Sequence, residues 1–233
     1  MSFGAVVNTS FKSIHHAQAP PYEPRWPVVL TILAVVLLLE LLPGRIRLLP
    51  KWFPSVAAIV VLAPIASVML ERARARWLRF ERIITQLFVV TAGVANTANL
   101  GNLIQAMVTQ SREISGQQLL ASSIAVWVTN ILTFSLLYWQ IDRAGPEARV
   151  NNAGMRPDWL FPQEGARAED LPPGWKACFV DYLWLGFSTA TAFSATDVMP
   201  LTSRAKLLML LESAISLATI VVVAARAINV LAN

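Results

Sequence analysis

Long apolar blocks, with the charge swept into the links between them, constrain this chain more than any motif does. A helix needs about 20 predominantly apolar residues to cross the hydrocarbon of a bilayer. Residues 26–42, 52–70, 83–108, 119–138 and 207–231 approach or exceed that length. Charged residues make up only 14% of the 233, against about 25% in ordinary soluble domains. A soluble fold of this size would spread them along every amphipathic element. The expected class is an all-α integral membrane protein with about five transmembrane helices.

Other classes find little support. The single Cys178 cannot form an intrachain disulfide, so no stapled ectodomain is implied. His15 and His16 stand in tandem in a polar stretch, too few ligands for a metal site. The net charge of +5 fits basic loops beside a membrane and gives no reason to expect nucleic acid as a partner. Residues 1–25 contain no apolar run resembling a signal peptide and read as a polar tail. The chain carries no P-loop, no dinucleotide-binding glycine pattern and no nucleophile elbow, so it is not expected to be an enzyme.

Residues 26–110 read as a three-helix membrane region. Pro43-Gly44 stops the first block, and Trp52 opens the second at an interfacial position. A dense basic cluster, Arg72 to Arg82, follows as a helical cytoplasmic or interfacial link. The third block is unusually polar, with Asn96, Thr97, Asn99, Asn102 and Gln105. Such groups must find partners away from lipid, so this helix is expected to face protein. Tyr138-Trp139 closes the helix at 119–139 as an aromatic girdle, and 142–176 is a proline-rich, turret-like polar stretch.

Residues 178–202 then break the pattern. About 12 apolar residues after Asp181, too few to span, give way to small and hydroxyl residues, then to Asp197 and Pro200. This reads as a helix that enters the membrane partway and returns as extended chain. Non-helical backbone at that depth must be buried in protein or line water. If several copies meet at an axis, the result is a narrow ring of backbone and hydroxyl oxygens.

The segment resembles the pore loop of tetrameric cation channels of the potassium type, whose pattern is close to D-x-L-Y-F-S-x-x-T-L-T-T-V-G-Y-G-D-x-x-P-x-T. Laid without gaps from Asp181, Leu183 meets the leucine and Trp184 the tyrosine. Thr189 and Thr191 meet threonines, and Asp197, Pro200 and Thr202 meet the aspartate, proline and threonine beyond the filter. Leu211-Glu212-Ser213-Ala214 and Val223-Ala224-Ala225-Arg226 look like inner-helix stretches of small bacterial members. The likeness covers about residues 178–231. It implies a pore-like domain over 119–231 with an inner helix at 205–231. It also implies a homotetramer in a bacterial inner (plasma) membrane, monovalent cations in the loop and no other cofactor.

The filter itself departs from the family. Ala192-Phe193-Ser194-Ala195-Thr196 stands where the family has threonine-valine-glycine-tyrosine-glycine. Positive φ is easy for glycine and costs other residues roughly 1–2 kcal/mol each. A standard potassium filter is therefore not expected. Thr191, Ser194 or Thr196 would offer hydroxyl rings and Asp197 an acidic ring, or Phe193 would plug the path. In the second case the chain is a non-conducting, channel-derived membrane scaffold or sensor. Asp197 has a second reading as a cap on nearby amides. Trp184 and Glu212 are expected to support the loop from behind, Glu212 by hydrogen bonding in the last helix.

Orientation is contested. With the N-terminus inside and five spans, the arginine cluster and the polar stretch both face the cytoplasm, which puts all Lys and Arg inside except Arg45, Arg47, Lys51, Arg112 and Arg226. The positive-inside rule favours this. The reverse places the loop outside, as in potassium channels. A third block that is itself re-entrant or non-spanning would reconcile the two.

Overall fold

The computed structural model describes residues 23–70, 75–109, 115–150, 155–172, 174–193 and 197–231. His15, His16, Arg72 and Arg74, with Ser194, Ala195 and Thr196 of the expected filter, lie outside them. The described chain is mainly α-helical. Its helices are α1 (Trp26–Leu41), α2 (Phe53–Leu70), α3 (Ala75–Val108), α4 (Gly116–Ile141), the short α5 (Pro146–Val150), α6 (Phe179–Ala192) and α7 (Ser203–Leu231). Two two-residue strands, β1 (Trp159–Leu160) and β2 (Met199–Pro200), pair antiparallel.

Local chemistry sets the helix ends. Pro27 sits in the first turn of α1, where its missing N–H is not needed, and Thr31 Oγ1 donates to its carbonyl at 2.8 Å. Ser115 opens α4 through a capping box: its hydroxyl accepts from Gln118 N–H, and the Gln118 side chain accepts from Ser115 N–H. α4 ends where Arg143, Ala144 and Gly145 take positive φ in succession and turn the chain aside.

Among the described residues, three helical stretches are long and apolar enough to cross a membrane: Arg79–Val108, Gly116–Ala144 and Ser203–Ala225. Trp26–Leu41 and Phe53–Ser67 are shorter apolar helices. The third block is one continuous helix of 34 residues. The re-entrant form of that block has no counterpart here, because nothing breaks its backbone ladder.

α4 is the hub, packed against α1, α3, α6 and α7, while α2 lies on α1 and α3. Consecutive long helices run antiparallel. At one end Arg25, before α1, lies 3.6 Å from Glu81 near the start of α3. Glu23 meets Trp139 near the end of α4 and Phe179 at the start of α6. Arg204 at the start of α7 reaches the Ile141 carbonyl. This is the hub end. At the opposite end the 42–52 link is held by α3: Leu48 N–H donates to Asn99 Oδ1 (2.8 Å) and Asn102 Nδ2 to the Ile46 carbonyl (3.0 Å). Asn96 Nδ2 donates to the Val126 carbonyl of α4. The asparagines of α3 therefore do face protein. Two of the three satisfy a link's backbone, and Thr97 and Gln105 are exposed.

Tyr138 and Trp139 depart from the girdle reading. Both are fully buried, Tyr138 against Trp159 and Phe134 and Trp139 against Phe179. The described part of the 142–176 stretch folds over the hub end and supplies Trp159 to that cover, with Trp159 and Phe161 in the core.

Candidate functional site: α6 and its return

α6 starts at the hub end, runs 14 residues between α4 and α7, and the chain then comes back to the same end. Its start is fixed by polar chemistry. Asp181, in the first turn, accepts the Cys178 N–H at 2.7 Å. Phe179 N–H and Trp139 Nε1 both donate to Glu23 Oε1 at 2.7 Å, and Arg149 pairs with the other oxygen of Glu23. Tyr182 donates to Asp142 at 2.6 Å. Burial, and next the Asp181 carboxylate, push the Cys178 thiol above its ordinary value.

Gly186 decides how deeply α6 can sit. A Cβ there would collide with Ser135 Oγ of α4 and lie 3.2 Å from the Ile131 carbonyl and 3.4 Å from Glu212 Oε1 of α7. Glu212 is 0% exposed. It accepts a hydrogen bond from Tyr138 Oη, and its backbone carbonyl accepts one from Asn130 Nδ2, which also donates to Ser216. The carboxyl thus stands behind α6 near Gly186, and its hydrogen bond goes to α4, where one to the loop was expected.

The sequence candidates separate by face. Thr189 is fully buried inside the protomer, its carbonyl 3.4 Å from Ser213 Oγ; among the described residues neither its hydroxyl nor Glu212 Oε1 has a hydrogen-bond partner. Thr191 is exposed, its hydroxyl donating to the Phe187 carbonyl. Ala192 and Asp197 are exposed, and Phe193, 41% exposed, ends α6 with left-handed φ of 54°. Trp184 is 54% exposed and forms an outward stripe with Val180 and Phe187. It therefore lies on the outer face of α6, not behind it.

The return is latched by Asp158, a buried residue absent from the sequence candidates. Its carboxylate accepts from Thr202 Oγ1 and Arg204 Nε at 2.6 Å each, and its carbonyl accepts from Leu201 N–H at 2.8 Å. Its own N–H donates to Asp142 Oδ1 at 2.7 Å. Beside it β1 pairs Trp159 with Pro200 and Leu160 with Met199. Glu23, Asp142 and Asp158 were missed because loop acids look solvated in sequence. Gly186 carried a signal, as the one glycine between Cys178 and Thr202. No family model, curated protein sequence or solved structure matches the chain.

Proposed function

We propose that the chain is a multi-pass membrane protein with five spans, and that α6 with its return is a re-entrant pore helix and loop. Four copies surround a path for cations through a filter unlike that of potassium channels. As the resemblance implies, the membrane is a bacterial inner one. The observation that carries this reading is the course of α6: it leaves from and returns to one end, wedged between α4 and α7, with Val180, Trp184 and Phe187 turned away from its own protomer. The return contains non-helical backbone, which hydrocarbon does not tolerate unless protein or water covers it. A second copy supplies that cover. Thr191, Phe193 and Asp197 on the exposed side are then the groups nearest the path.

The test is flux of potassium, sodium and chloride in liposomes holding the purified full chain, with oligomer size read by crosslinking. A tetramer that passes cations, with flux altered by Asp197→Asn, supports the proposal. A monomer would overturn it. A tetramer that passes no ion supports the second reading, a non-conducting scaffold, for which the exposed Phe193 at the tip of α6 is the specific observation.

A further inference from the structure

We infer that the α6 loop opens to the cytoplasm, opposite to the side a potassium-channel likeness would give it. The inference rests on the five-span reading above and adds the compartment. Its premise is geometric. Glu23 and Arg25 ahead of α1, Glu81 near the start of α3, Asp142 and Asp158 of the polar stretch and the return to α7 all lie at the hub end. Arg82 of α3 packs against Gly145 just beyond α4, which ties the basic cluster to the polar stretch directly. α3 is continuous, so no interrupted third block can put the cluster on one side and the loop on the other.

The charge then decides. Among the described Lys and Arg, Arg45, Arg47 and Lys51 fall in the link at the far end and Arg226 in the last turns of α7, which lead to it. The other eleven described Lys and Arg, from Arg25 to Lys206, belong to the hub end. Lys and Arg within some 15–20 residues of a span's end set orientation, and acids contribute little. The acid-rich composition of the polar stretch therefore does not offset the bias. The Asp158 latch, Asp197 and the mouth of the loop all face the cytosol, and the 42–52 link faces the opposite side.

Two glycines with open space around them, Gly44 at the far end and Gly165 in the polar stretch, accept cysteine reporters without steric conflict. Met199 on the return is exposed and gives a third. In a Cys178→Ala background, single cysteines at these positions in the full chain are labelled with a membrane-impermeant maleimide in intact bacterial cells, then again after permeabilisation. Gly44→Cys is expected to label in intact cells, and Gly165→Cys and Met199→Cys only after permeabilisation. The reversed pattern overturns the inference while leaving the re-entrant reading standing. Gly165→Cys and Met199→Cys on opposite sides would overturn both, because the return would then cross the membrane. A C-terminal alkaline phosphatase fusion to the otherwise unaltered chain is an independent check, expected active; an inactive phosphatase with a fluorescent cytosolic reporter in its place overturns the assignment.

Discussion

Gly186 and Glu212 meet where α6 leans on α4 and α7, and they make the site sensitive to single atoms. Gly186→Ala forces a methyl into Ser135 Oγ, with the Ile131 carbonyl behind it, and overpacking of this kind costs about 1–3 kcal/mol. A lowered melting temperature in detergent checks it. Adding Ser135→Ala should recover part of the loss, since the first collision is with that hydroxyl and the second, with backbone, stays. Tyr138→Phe removes the donor to a fully buried carboxyl and should cost about 1–3 kcal/mol by the same assay. None of these contacts was legible beforehand. That Glu212 needs a partner was readable, because it is an acid in an apolar helix, but the partner, Tyr138 of α4, looked like an interfacial aromatic. Side chains that cap a span and side chains that fill its core have the same composition, and only packing separates them.

Between residues and molecule, the elements are joined by buried acids at the hub end. Asp158 holds the return and the start of α7, so Asp158→Ala should loosen residues 197–204 while the α3 to α4 contact persists. Amide hydrogen exchange checks this: faster exchange at Leu201 and Ala205, with little change at Val126 or Asn96, is expected. Removing hydrogen bonds to a charged group costs about 1.5–3 kcal/mol each, and the exposure of Arg204 lowers its share. The helices themselves were largely legible from apolar length. The block at 119–138 corresponds to α4, that at 207–231 to α7, and the short apolar run after Asp181 to α6. The latch was not, because Asp142, Asp158 and Glu23 sit in stretches whose composition says loop, and burial there arises from contacts 16 to 156 residues away in sequence.

For the whole molecule, the exposed stripe on α6 separates assembly from folding. Trp184→Ala removes an outward-facing ring and should leave the protomer's own packing nearly unchanged. It should shift crosslinked species toward smaller oligomers, an outcome native mass spectrometry or crosslinking reads directly. The bridge made by Glu23 has a consequence of a different kind, in time. Its partner Phe179 lies 156 residues further along the chain. At about 5–20 residues per second of synthesis, that partner emerges roughly 8–30 s later. Over that interval the carboxylate ahead of the first helix gains Trp139 first, then Arg149, and Phe179 last. The Glu23 bridge is therefore complete only once the start of α6 has been made, and a ribosome pausing before residue 179 would leave it without its third contact.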